Sequence, residues 1–275
     1  MTDDRDPKAL RRDWMRTSTL EGRVALVAGG GSGIGEAIAH AFAANGVRVI
    51  VADLRPDMAD GVARAIKAEG GEATAVGMDV CKQEDIDQAL AKAESAYGGL
   101  DMLVNSAGVI APQPLVDADL GKWRSSFEVN VEGALMLARS ALQLLKASPV
   151  ASVVNISSLA GGRAYANGGS YGTSKAALIH LSRTMGVEWA EHGVRVNVIS
   201  PGSVLTPLLL ANMTRETQAA RAERIPLGRM GAPREIADLA VFLASPMASY
   251  ITAQEICCDG GLSQALMVQK WQSDS

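Results

Sequence analysis

The stretch Arg23-Val24-Ala25-Leu26-Val27-Ala28-Gly29-Gly30-Gly31-Ser32-Gly33-Ile34-Gly35 decides the fold. A β-branched apolar run stops at Ala28, a glycine-rich turn follows, and an Ala-rich amphipathic segment begins at Ile34. Glycines let the backbone turn sharply. A helix that starts directly after such a turn offers free N–H groups and the positive end of its macrodipole to an anion such as a pyrophosphate. The spacing is G-x-x-x-G-x-G, set by Gly29, Gly33 and Gly35 and carrying Ser32 and Ile34, and not G-x-G-x-x-G. Short glycine motifs also serve plain loops and close packing, so the turn alone leaves both readings open.

The same alternation continues along the chain. Short β-branched runs at 23–28, 48–52, 74–78, 102–104, 152–156, 195–199 and 255–258 read as strands. Ala-rich segments at 34–44, 58–68, 84–96, 123–147, 170–191 and 234–244 read as helices. Alternating βα units joined by right-handed crossovers predict an α/β fold: a Rossmann-like, doubly wound parallel sheet of about seven strands with helices on both faces. In such a sheet the ligand crevice lies beyond the carboxyl ends of the strands. Polar or special residues stand at those ends: Gly29, Asp53, Asp79, Asn105, Ser157 with Ser158, and Pro201. Asp53 follows Gly35 by 18 residues, close to the interval of roughly 20 at which a carboxylate binds an adenosine ribose. A carboxylate there accepts hydrogen bonds from both ribose hydroxyls and repels a 2′-phosphate, which favours NAD over NADP. Arg55, two residues on, reads as a solvated surface charge.

Composition bounds the alternatives. The chain has 275 residues with 48% hydrophobic and 20% charged residues and 28 glycines. That is room for one large domain of roughly 250 residues and no second catalytic one. We expect a mobile, mixed-charge arm at 1–20, a catalytic domain at 21–262 and a tail at 263–275. A formal charge of −4 argues against nucleic acid as a partner. No run reaches the roughly 20 apolar residues of a membrane span, and the charged first segment is unlike a signal peptide. A cytoplasmic location is the expectation. Cys81, Cys257 and Cys258 show no spaced pairs and read as reduced core thiols; His40, His180 and His192 have no metal-ligand spacing and read as helix residues.

The chemistry points to Tyr171-Gly172-Thr173-Ser174-Lys175. An i,i+4 pair stacks on one helix face with Cβ atoms about 5–6 Å apart. A phenol of ordinary pKa roughly 10 is a poor base at neutral pH, and a neighbouring ammonium favours its phenolate. A tyrosine so tuned exchanges a proton with an alcohol or ketone oxygen while hydride moves to or from a cofactor. Ser158, 13 residues before Tyr171, ends the fifth strand, where its hydroxyl can orient the reacting oxygen. Ser157 competes for that role, since neighbouring residues at a strand end face opposite ways.

From about Gly22 to Gly261 the chain resembles the short-chain dehydrogenase/reductase family, in its single-domain subgroup. Its Thr-Gly-x-x-x-Gly-x-Gly turn is matched at Ala28 to Gly35, with Ala28 in the threonine position; the missing hydroxyl should loosen a structural hydrogen bond near the fourth strand. Asn105-Ser106-Ala107-Gly108 resembles Asn-Asn-Ala-Gly, with Ser106 as the departure. Asp79-Val80 resembles the pair that holds adenine, and Pro201-Gly202-Ser203-Val204-Leu205-Thr206 the segment at the nicotinamide end. Asn130 stands where the family has a fourth catalytic residue, which typically distorts its helix and holds a water leading from the lysine. The resemblance assigns Tyr171 as acid/base, Lys175 to ribose binding and pKa lowering, Ser158 rather than Ser157 to the substrate oxygen, and Asn130 to the proton relay. The cofactor contacts it implies are Gly29, Ser32, Gly33, Ile34, Gly35, Asp53, Leu54, Asp79, Val80, Asn105, Ala107, Gly108, Tyr171, Lys175, Pro201, Gly202, Val204 and Thr206, with no metal.

The apolar segment Pro207-Leu208-Leu209-Leu210-Ala211-Asn212-Met213 reads either as ordinary core or, by the same likeness, as a mobile substrate lid, whose apolar character points to a largely hydrophobic secondary alcohol or ketone. Arg163 and Tyr165 either border the substrate or belong to a plain exposed loop. Leu262, Leu266, Met267 and Trp271 are apolar enough near the terminus to need a docking place. The resemblance implies a homotetramer built on the two long helices. Two other functions remain: a 3-oxoacyl thioester reductase, disfavoured by Asp53 and the acidic pI, and a non-catalytic nucleotide sensor, disfavoured by intact Tyr171 and Lys175.

Overall fold

The β-branched runs become strands in the computed structural model, which describes residues 18–211 and 213–265. They are β1 (Val24–Ala28), β2 (Arg48–Asp53), β3 (Ala73–Gly77), β4 (Met102–Asn105), β5 (Ser152–Ile156), β6 (Arg195–Pro201) and β7 (Glu255–Cys258). All pair in parallel, in the order β3-β2-β1-β4-β5-β6-β7. The chain leaves β1 for β2 and β3, then returns to β4 on the other side of β1. That reversal opens a crevice beyond the carboxyl ends of β1 and β4.

Every residue of β1, β4 and β5 is buried, as expected of parallel strands covered on both faces. Helices α1 (Gly33–Ala44), α2 (Pro56–Ala68) and α10 (Pro233–Ala244) cover one face, where Val27, Val51, Val104 and Ile156 meet Phe42, Ile66 and Val241. Helices α3 (Gln83–Tyr97), α5 (Gly133–Lys146) and α7 (Gly169–Glu188) cover the other, where Leu26, Ile50, Leu103 and Val153 meet Leu90, Leu137 and Met185.

The expected helix at 123–147 is not one continuous helix. Its chain forms α4 (Leu120–Phe127), a π-helical segment Glu128–Glu132 and then α5. It starts early because Asp119 caps it, accepting from the N–H groups of Gly121 at 2.7 Å and Lys122 at 3.1 Å. The π turn falls where Asn130 turns its side chain to the Val109 backbone. The helix expected at 170–191 ends at Glu188 and continues as a 3₁₀ turn, Trp189–His192, closed by Gly193 in the left-handed region.

The cysteines are free, and the expectation of core thiols holds in part: Cys81 and Cys258 are half-buried and pack against the core, whereas Cys257 is exposed. For Cys257 and Cys258 the reason is position, since β7 is the sheet's outermost strand and has a neighbour on one side alone. Leu20, placed in the arm by the sequence reading, lies in a 3₁₀ turn, Ser18–Leu20, and is fully buried. The rest of the arm up to Thr17, Asn212, Leu266, Met267 and Trp271 lie outside the described residues. Among those residues, no helix is long and apolar enough to cross a membrane.

Candidate active site

The glycine turn is shaped by what crosses it. Gly29 has φ +70°, and a Cβ there would stand 2.7 Å from the Ala107 nitrogen, because the loop after β4 passes directly over the turn. Gly31 was not singled out in the sequence, yet its N–H donates to Asp53 Oδ2 at 2.9 Å, and a Cβ would collide with that carboxylate. Asp53 Oδ1 accepts from the Arg55 N–H at 3.0 Å, and the Arg55 guanidinium lies 3.8 Å away in solvent. The carboxylate is thus fixed at the tip of β2 by the turn itself. Ser32 N-caps α1 in extended conformation, and Gly33, Ile34 and Gly35 form its first turn. Leu54 is exposed beside Asp53.

The other expected cofactor residues surround this turn. Asp79 accepts from Cys81 N at 3.0 Å, and Val80 is buried against Gly133 at the start of α5. Asn105 closes β4 in register with Ala28, and its buried Oδ1 has no hydrogen-bond partner, as expected where the threonine hydroxyl is missing. Gly202 N donates to Cys258 O at 3.0 Å, carrying the chain from Pro201 past the end of β7. Val204 is buried, and Thr206 lies 3.5 Å from where a Cβ on Gly33 would stand, so this segment reaches the glycine turn. A turn that excludes side chains, backbone N–H groups at a helix start, a fixed carboxylate and an unpartnered buried acceptor fit a dinucleotide with unphosphorylated ribose.

Ser157 and Ser158 separate cleanly. Ser157 Oγ donates to the Lys175 carbonyl at 3.0 Å and serves helix α7. Ser158 N-caps the short helix α6 (Leu159–Gly162), accepts from Ala160 N at 3.2 Å, and stands close enough to the Tyr171 phenol to favour its phenolate. Lys175 is 5% exposed, and its Nζ donates to the Ile156 carbonyl at 2.8 Å. Burial pulls the lysine down to about 8 and pushes the phenol above its ordinary value, against the pull of Ser158. This differs from the sequence expectation of a phenol lowered by the ammonium. Burial is the largest influence on both groups.

Asn130 is buried at the π turn. Its Oδ1 accepts from Val109 N at 2.8 Å, and its Nδ2 donates to Val109 O at 3.1 Å and to Ser174 Oγ at 2.9 Å. Val109 and Ser174 are partners that the sequence reading missed, and no motif marked them. The arrangement brings Ser158, Tyr171, Lys175 and Asn130 around the ends of β4 and β5.

The mouth of the site is apolar. Ile110, Leu205 and Leu210, in the loops that follow β4 and β6 on the carboxyl side of the sheet, are exposed, and Tyr165 is 49% exposed with its ring over Gly168. The Tyr165 hydroxyl is near enough to Tyr171 to disfavour its phenolate, whereas Arg163 turns away to the Ser263 and Gly162 carbonyls. Tyr165 therefore borders the site and Arg163 belongs to the exposed loop. The expected lid folds as α8 (Pro207–Leu210), followed by α9 (Arg215–Glu223), which buries none of its residues.

Known proteins match this arrangement along most of its length. A family model described as enoyl-(acyl carrier protein) reductase matches residues 28–263. The 2,5-dichloro-2,5-cyclohexadiene-1,4-diol dehydrogenase of Sphingobium indicum is 39% identical over 244 residues, covering 89% of this chain and 97% of the relative. The cis-4-hydroxycyclohexanecarboxylate dehydrogenase of Sinomonas cyclohexanicum is 37% identical, covering 87% and 96%. A solved 7α-hydroxysteroid dehydrogenase, complexed with NADH and 7-oxo glycochenodeoxycholic acid, superposes with a TM-score of 0.84 at 34% identity, covering 89% of this chain and 96% of that one. The chain belongs to the short-chain dehydrogenase/reductase family, oxidoreductases that exchange hydride between a nicotinamide cofactor and CH–OH or C=O groups.

Proposed function

We propose that this protein oxidises a secondary alcohol carried on an apolar ring, with NAD as hydride acceptor, and reduces the corresponding ketone in reverse. The observation that carries this reading is that Ser158, at the carboxyl edge of β5, stands close enough to Tyr171 to favour its phenolate, with buried Lys175 one helical turn on and bonded to the Ile156 carbonyl. The nicotinamide, when bound, supplies or accepts hydride. Tyr171 takes the alcohol proton during oxidation and returns it during reduction. Ser158 holds the reacting oxygen and stabilises its developing charge. Lys175 binds the ribose and feeds protons to Tyr171, and Asn130 links that path to solvent. Asp53 selects the unphosphorylated ribose.

The ring class is supported by the apolar mouth and by relatives named for a cyclohexadienediol and a hydroxycyclohexanecarboxylate. A panel of cyclic secondary alcohols with NAD, starting from cis-4-hydroxycyclohexanecarboxylate and read by absorbance of the reduced cofactor, tests it. Turnover with NAD over NADP supports the reading. Faster turnover of a 3-oxoacyl thioester with NADPH overturns it.

The functional unit proposed is a cytoplasmic homotetramer of catalytic domains spanning 21–262, each with an arm and a tail. Leu135 on α5 and Val187 on α7 are exposed large apolar residues on the long helices, in keeping with an interface there. Light scattering at micromolar concentration gives a tetramer on this reading; a monomer contradicts it.

A further inference from the structure

Ser174 lies between the two reactive residues of α7 and is fully buried. Its hydroxyl has one hydrogen, directed to the Tyr171 carbonyl at 2.9 Å. Its oxygen accepts from Asn130 Nδ2 at 2.9 Å. Asn130 commits the other Nδ2 hydrogen to Val109 O and its Oδ1 to Val109 N. Ser174 is therefore the side chain through which Asn130 is bonded to the turn carrying Tyr171 and Lys175. The join is tight at Gly108, where a Cβ would stand 3.0 Å from Asn130 Oδ1 and 3.2 Å from Lys175 Nζ.

We propose that Ser174 is a positioning residue: it holds the Tyr171–Lys175 turn in register with Asn130 and the loop after β4, without touching substrate or cofactor. The proposal rests on the reading that Tyr171 and Asn130 carry the proton. Two segments far apart in sequence meet at this hydroxyl, and the Asn130 amide extends the join to a third, the loop after β4. Without it, an Asn130 N–H is left buried and unpartnered, and the π turn loses its bond to α7. The expected result is a less well-placed proton path with substrate binding intact, which lowers kcat and leaves KM unchanged.

The test uses the full-length protein with Ser174→Ala, Asn130→Ala, the double variant, and Ser182→Ala as control. Ser182 is equally buried on α7 but bonds Asn155 within β5 and the Leu178 carbonyl, and has no bond to Asn130 or Val109. Amide exchange by mass spectrometry over peptides covering 105–112 reads the brace directly, because the Val109 N–H is held by Asn130. Ser174→Ala and Asn130→Ala should each speed that exchange about tenfold, and Ser182→Ala should not. With NAD and cis-4-hydroxycyclohexanecarboxylate, Ser174→Ala should lower kcat about tenfold with KM held, and move the acid limb of the oxidation profile to higher pH. In the Asn130→Ala background the same substitution should add less than about a twofold change.

Unchanged exchange at Val109, or an equal kcat loss in both backgrounds, overturns the proposal. If Ser174→Ala does not fold, Ser174→Cys, which keeps a weak donor in similar volume, should fall between wild type and Asn130→Ala in exchange. If wild type turns over no ring alcohol, the functional reading falls, and the exchange measurement still decides whether Ser174 braces Asn130.

Discussion

The two flanks of the turn from Ser170 to Lys175 are built differently. On the flank facing α4 and the loop after β4, Asn130, Ser174, Ser126 and Ser170 are buried and hydrogen-bonded; Ser126 and Ser170 share a 2.9 Å bond. On the flank facing the α6 loop and the lid, Tyr165, Leu205 and Leu210 are exposed, and α9 buries none of its residues. The difference separates two tasks. The proton chemistry is carried by a closed hydrogen-bond network that tolerates little movement, whereas substrate choice lies with apolar loop side chains that can change independently.

The sharpest way to break the closed flank is Lys175→Met. Loss of the ammonium should lower kcat by about 10²–10³ while the fold persists. The same variant exposes a linkage. Burial holds the folded-state value of Lys175 near 8, below the 10.5 of a free lysine. Between those values the unfolded chain binds the extra proton, so stability rises with pH there. Below about 8 the full cost of burying the charge is present. Wild type should therefore gain about 3 kcal/mol over Lys175→Met as pH is raised through that window, measured by paired denaturant titrations.

A smaller effect lies at the ribose anchor. Asp53→Ser keeps a short polar group for the Gly31 N–H but removes the repulsion of a 2′-phosphate. The ratio of kcat/KM for NAD over NADP should fall about tenfold or more. An unchanged ratio places cofactor selection elsewhere. The smallest effects belong to the open flank: Leu210→Ala and Tyr165→Phe should change KM about two- to fivefold and leave kcat nearly unchanged. A kcat loss there as large as that of Lys175→Met would erase the distinction between the flanks.

The frame of the molecule was legible because periodicity reports burial. Strand and helix positions agree with the sequence reading to within a residue or two for most elements, and the seven-stranded parallel order follows from alternating βα units. The break in the α4–α5 helix was legible through the family resemblance at Asn130, not through periodicity, since a π turn leaves the apolar spacing nearly intact. Ser158 and Ser157 could not be separated by strand alternation alone; the hydrogen bond of Ser157 to Lys175 O distinguishes them. Ser174 and Gly31 carried no signal, because each acts through a contact with a residue distant in sequence or through its backbone N–H. The phenol's raised pKa was equally hidden, since burial is a property of the packed crevice.

The most direct test of the account is kcat/KM for cis-4-hydroxycyclohexanecarboxylate oxidation by NAD across pH, in wild type and Tyr171→Phe, with NADH binding followed by fluorescence. Wild-type activity should rise through a limb on the alkaline side of neutrality, because burial raises the phenol and oxidation needs its deprotonated form. Tyr171→Phe should lose about 10³-fold in kcat/KM and still bind NADH within about fivefold of wild type, the loss of a single hydroxyl contact. Retained turnover with the same limb in Tyr171→Phe would contradict the assignment of the proton to Tyr171.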